Sequence, residues 1–161
     1  PLNNAVNDAR DISAMLEKLD FKVIFKLNVT QRSMEQAIRK FQNSLSNDDV
    51  GLFYYAGHGV QVDGQNYLIP TDAEINQESD IKYEAVHAGR VLDAMSNVGN
   101  RLNIVILDAC RNNPFSQQFR SARGGLARMD APQAQLSPIR HHPAKSLPMG
   151  KAGTVFIQSI Y

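Results

Sequence analysis

Apolar positions along this chain recur at two different periods, and the switches between them mark out the elements. Ala5, Ala9, Ile12, Leu16 and Leu19 follow one another at three- and four-residue steps, with Asn7 and Asp8 suited to a first turn, so residues 5–19 read as an amphipathic helix. KVIFKL at 22–27 is short and rich in branched and aromatic residues, as a strand is. A second helix is expected next, capped by Thr30 and striped by Met34, Ala37, Ile38, Phe41 and Leu45. VGLFYY at 50–55 is a continuous apolar run, the pattern of a strand buried on both faces in a parallel sheet. Tyr67–Ile69 reads as a brief strand, 71–79 as a polar loop, and 84–97 as a helix with Val86, Val91, Leu92 and Met95 on one face. LNIVIL at 102–107 reads as a second buried strand. Strands alternating with helices predict an α/β layered domain with a mostly parallel sheet, in which ligands sit beyond the carboxyl ends of the strands.

Composition narrows the class without changing the architecture. The chain has 161 residues, 43% apolar and 20% charged, which suits one domain with one core. Its net charge is +1 and its arginines are scattered, so no footprint for nucleic acid is visible. No apolar stretch approaches the roughly 20 residues of a membrane span. The sequence starts at Pro1 with no initiator Met or signal-like segment. It is therefore expected to be a fragment or processed product whose targeting cannot be read, with the cytoplasm as the default location.

Cys110 is the single cysteine, so it is either a small buried hydrophobe or a reactive thiol. It follows the strand at 102–107, as His58 follows the strand at 50–55. A thiol attacks a carbonyl well only as thiolate or beside a base, and His58 is the available base. Gly57 and Gly59 would let the chain turn sharply around it and let a substrate approach. The backbone N–H groups of Gly59 and Cys110 would then face a developing oxyanion. The bland alternatives are an inert Cys and a hydrogen-bonding loop His. Metal binding lacks a second Cys or a His at ligand spacing, and His87 reads as a satisfied histidine on the third helix.

The combination is more specific than its parts. A strand followed by GHG, and about fifty residues later a strand followed by DAC, is the order and separation of caspase-like peptidases. FYYAGHG at 53–59 and ILDACRNNPF at 106–115 resemble the caspase-like cysteine peptidases of the bacterial metacaspase and paracaspase branch, and NNAVNDARDISAMLEKLDFKV at 3–23 resembles that domain's first helix and following strand. The resemblance implies a three-layer caspase-like fold and a cysteine endopeptidase with His58 as general base and Cys110 as nucleophile. It also implies no cofactor, and peptide or protein substrates with basic residues. Asp8 and Asp108 match the family's carboxylates that line the primary specificity pocket, so cleavage after Arg or Lys is expected. Two buried carboxylates there would be costly alone and paired by the substrate's cation. As an alternative, Asp8 is simply a helix N-terminal acid. The competing functions are a catalytically inactive caspase-like interaction module and a small-molecule-binding domain of flavodoxin-like layout. The latter lacks a glycine-rich phosphate loop leading into a helix.

The sequence departs from the family in three places. VQVDGQNYLIPTDAE at 60–74 is compact where calcium-dependent members carry an acid-rich insertion, so no calcium requirement is expected. Asp63–Gly64 reads as a hairpin turn, and Asp63 and Asp72 as turn residues. The strand that opens the family domain is absent before the first helix, which would leave unpaired backbone in the sheet. Residues 1–132 therefore read as a partial peptidase domain, and 133–161 as an atypical tail with little periodicity where a buried strand is due. A coding frame shifted by one nucleotide could encode GTVIAYTASPGKVAADGKGRNGLYTKH over that tail, which resembles the family's own continuation. On that reading, this chain retains the dyad but lacks one wall of its cleft.

Overall fold

The computed structural model describes residues 3–47, 49–109, 126, 129 and 153–159. Helix α1 (Asn3–Lys18) leads into β1 (Phe21–Leu27), and α2 (Gln31–Ser44) into β2 (Val50–Gly57). A hairpin follows, β3 (Gly59–Val62) and β4 (Gln65–Leu68). After it come the short α3 (Ile81–Glu84), β5 (Val86–His87), α4 (Gly89–Ser96), β6 (Leu102–Ala109) and β7 (Gly153–Ser159). The main sheet is parallel in the order β1-β7-β2-β6, and β3-β4-β5 form a small antiparallel sheet. The α/β layering expected from the alternation of elements is present. Among the described residues no helix is long and apolar enough to cross a membrane.

Each helix is placed by the stripe it buries. On one sheet face Ala9 of α1, backed by Ile12 and Leu16, packs on Tyr54, Ala56, Val155 and Ile157. On the other, Met34, Ala37, Ile38 and Phe41 of α2 and Val91 and Met95 of α4 close over Phe53, Tyr55 and Phe156. The Phe53 and Phe156 rings stack with centroids 5.0 Å apart. Thr30 caps α2, its side chain accepting from the Ser33 N–H. The Asp63–Gly64 turn has positive φ at both positions (51° and 76°), the conformation a two-residue hairpin turn requires. Asp63 also pairs with Lys82 at 2.9 Å, and the Asp72 carboxylate accepts from the Gln31 N–H at 2.8 Å.

Four expectations are corrected. Leu19 lies beyond α1 and is 57% exposed, because the chain turns at Asp20, whose φ is 61°. The helix expected over 84–97 begins only at Gly89. Val86 and His87 are a strand pairing with β4, since Val86 packs in the core by reaching the sheet side of the layer rather than by continuing a helical stripe. LNIVIL is not buried on both faces: β6 ends the order of described strands, and Leu102 and Ile106 are 50% and 43% exposed. The tail contributes a central strand. GTVFIQS forms β7 between β1 and β2, fully buried, so the gap expected in the middle of the sheet is filled from the other end of the chain. Its apolar trio Val155, Phe156 and Ile157 supplies the burial that pairing on both sides demands.

Candidate active site

Register decides which residues meet at the carboxyl end of the sheet. β2 and β6 run parallel with Tyr54 opposite Ile106, Ala56 opposite Asp108 and Gly57 opposite Ala109. The two strands therefore end side by side, one residue before His58 and one before Cys110. Cys110, and with it the backbone N–H assigned to the oxyanion, lies outside the described residues.

His58 occupies the single residue between β2 and β3 and is half-buried. Its carbonyl accepts from the Ile69 N–H at 2.9 Å and from the Tyr55 hydroxyl at 2.7 Å, and that hydroxyl also lies 3.3 Å from the Ile69 carbonyl oxygen. The loop is thus clamped through its backbone, while the ring atom Nδ1 is buried with no hydrogen-bond partner among the described residues. A buried ring nitrogen without a partner is uncommon in a folded protein. Neither Gly57 nor Gly59 has positive φ. Both are buried ends of strands, so their value is the missing side chain and not the sharp turn expected of them.

The two acids arrive from different elements. Asp8 is on α1 and Asp108 is near the end of β6, and both are exposed, not buried as the paired-carboxylate argument assumed. Beside Asp108 stands Tyr54, 7% exposed, whose hydroxyl donates to Asp108 Oδ2 at 3.4 Å. Burial raises the Tyr54 pKa above the ordinary phenol value. The charge of Asp108 and its hydrogen bond add to this, and so does the charge of Asp8. Both carboxylates are therefore close enough to act on one phenol, and the structure brings Asp8, Tyr54 and Asp108 together on the α1 side of the sheet edge.

Tyr54 and Tyr55 were read only as strand hydrophobics. The available signal was their polar tips: a buried tyrosine needs a partner for its hydroxyl, and two in succession must find partners on opposite faces. His87 is not part of this site, since its Nε2 lies 2.8 Å from the Gln65 side-chain oxygen at the small sheet. Among the described residues no three His, Cys, Asp or Glu side chains converge as a metal site.

A parallel sheet with helices on both faces defines an α/β protein, with His58 and Asp108 at the carboxyl ends of β2 and β6. The family model described as the caspase domain (Peptidase_C14) matches residues 1–159, and the chain belongs to that peptidase family. It is similar to the human protein "Mucosa-associated lymphoid tissue lymphoma translocation protein 1", 33% identical over 104 residues, which is 65% of this chain and 12% of that protein. The mouse homolog matches at the same 33% over 104 residues. The chain thus corresponds to a small part of each curated relative.

Proposed function

We propose that the chain carries the catalytic apparatus of a cysteine endopeptidase that cleaves after Arg or Lys, with Cys110 as nucleophile and His58 as base. The observation that carries this reading is the pairing of Gly57 with Ala109, which ends the two strands beside each other just before these residues. The open Nδ1 of His58 supports it, as a base must have a free nitrogen in reach of its proton donor.

In the proposed reaction His58 takes the Cys110 thiol proton, and the thiolate attacks the peptide carbonyl. The C=O electron pair moves onto oxygen, facing the N–H groups of Gly59 and Cys110. The Ile69 N–H to His58 carbonyl bond makes His58 and Ile69 a hydrogen-bonded pair, so by alternation Gly59 falls in a pair that exchanges no bonds with β4. Its N–H is thereby spared from the ladder. Collapse breaks the C–N bond, the imidazolium protonates the leaving amine, and a thioester remains. Water, deprotonated by His58, attacks the thioester, releasing the carboxylate and restoring the thiol. Asp8 and Asp108 supply the negative field for a basic side chain before the scissile bond. Being exposed, they face no desolvation penalty while the pocket is empty.

Fluorogenic peptides ending in Arg, Lys or Asp test this. Cleavage is expected after Arg and Lys and not after Asp, lost with Cys110→Ala and reduced about 10²–10⁴-fold with His58→Ala. Asp8→Asn and Asp108→Asn should act mainly through KM for basic peptides. Cleavage after Asp, or activity surviving Cys110→Ala, overturns the proposal. A folded chain that binds such peptides without cleaving them supports the interaction module instead.

A further inference from the structure

We propose that Tyr54 is a positioning residue of the acidic edge, its hydroxyl fixing the Asp108 carboxylate in the orientation that grips a forked cation, so that the site favours arginine over lysine. This rests on the reading of Asp8 and Asp108 as the substrate's cationic subsite. It adds a group that the sequence reading passed over.

The anchoring is one-sided. The Tyr54 ring is buried with Ala9, Ala56, Val155 and Ile157, held by α1 and by both neighbouring strands, whereas Asp108 is exposed at the strand end. A carboxylate so placed rotates freely unless something holds one oxygen. The 3.4 Å bond from the buried phenol to Oδ2 is that hold, and register keeps the two residues on the same sheet face. A carboxylate has about four lone-pair sites, so Oδ2 can accept from the phenol and still share a bidentate contact.

Orientation matters unequally to the two cations. A guanidinium binds a carboxylate through two parallel N–H···O bonds and needs a shared plane, whereas an ammonium is a compact charge that donates in any direction. Fixing the plane of Asp108 therefore rewards arginine. Burial and the two neighbouring carboxylates keep the phenol protonated, so the hydroxyl is a donor throughout the neutral range. Tyr54 acts through Asp108, which makes its effect one on recognition.

Binding of N-acetylarginine amide and N-acetyllysine amide to the chain, followed by NMR titration, needs no turnover. The expected result is a preference for the arginine ligand that Tyr54→Phe weakens by about 3–10-fold, the size of one hydrogen bond, while the lysine ligand changes less than about 2-fold. Replacing Tyr54 with a fluorinated tyrosine keeps the ring and lowers the pH at which the phenol ionises. Its arginine preference should fade as pH rises, where the native protein's does not. Equal weakening of both ligands, or an unchanged ratio in both variants, overturns the role of Tyr54 while leaving the acidic subsite standing. Failure of the unaltered chain to bind either ligand overturns the subsite reading and this inference with it.

Discussion

β2 and β7 lie side by side in the centre of the sheet, both largely buried and each paired on two sides, yet they differ in how their polar groups are treated. At the end of β2 the Tyr54 hydroxyl reaches Asp108 and the Tyr55 hydroxyl reaches the His58 carbonyl. At the end of β7, Gln158 and Ser159 are fully buried. Both polar atoms of the Gln158 amide and the Ser159 hydroxyl have no hydrogen-bond partner among the described residues. The middle of β7 fits its place, with Phe156 stacked on Phe53 and tilted against Phe41, so the mismatch is confined to the last two residues. Apolar patterning can install a strand in a core, but only partners for its polar tips make the end of that strand a site.

This comparison breaks most visibly if the aromatic pair is cut. Phe53→Ala and Phe156→Ala should each cost about 3–5 kcal/mol in urea unfolding. A cost below about 1 kcal/mol for Phe156→Ala alone would show that β7 is not held as β2 is. Gly153→Ala comes next. Gly153 has φ 146° and an added Cβ would collide with the Val50 carbonyl oxygen, so a loss of about 1–3 kcal/mol is expected. Gln158→Met has the opposite sign: removing a buried amide with no partner among the described residues should raise the unfolding free energy by about 1–3 kcal/mol, read as a higher urea midpoint at unchanged m, and Ser159→Ala by about 1 kcal/mol. Destabilisation by either would reveal a partner at that end of β7.

The last test is alkaline. Burial raises the phenol pKa of both Tyr54 and Tyr55 in the folded state. Their contribution is therefore complete below the unfolded value of about 10 and lost as pH rises through the folded values. Tyr54→Phe and Tyr55→Phe should each flatten the fall in stability above about pH 10. The shifted frame proposed for the tail has its own test in the nucleotide sequence: an early stop or an unrelated peptide in that frame ends the idea. If it holds, a chain carrying GTVIAYTASP in place of the present tail should lack the orphaned polar groups of β7.

The elements nearest the site were the most legible. Helix periodicity located α1 and α2, and the runs before GHG and DAC located β2 and β6, because sequence-local signals such as the Thr30 cap and the Asp63–Gly64 turn agree with the packing. What local pattern could not supply was anything set by distant pairing. β5 is two residues long and exists because β4 offers it a partner, so Val86 passed for part of a helix. The exposure of β6 depends on which strands flank it, and the place of β7 depends on an interval left between β1 and β2. At the candidate site, His58 was proposed from residue type and position and Asp8 and Asp108 from the family resemblance, whereas Tyr54 and Tyr55 were hidden by belonging to an apolar run whose hydroxyl contacts show only in three dimensions.

The order β1-β7-β2-β6 also has a consequence in time. During synthesis β1 and β2 emerge long before β7, and neither can pair directly with the other in the final register. Until Gly153–Ser159 leaves the ribosome, β1 on one side and β2–β6 on the other lack the strand that lies between them in the final order. The last described strand made is the one that joins them, so this fold closes by insertion from its far end. Its halves are most exposed to wrong pairing just before that step.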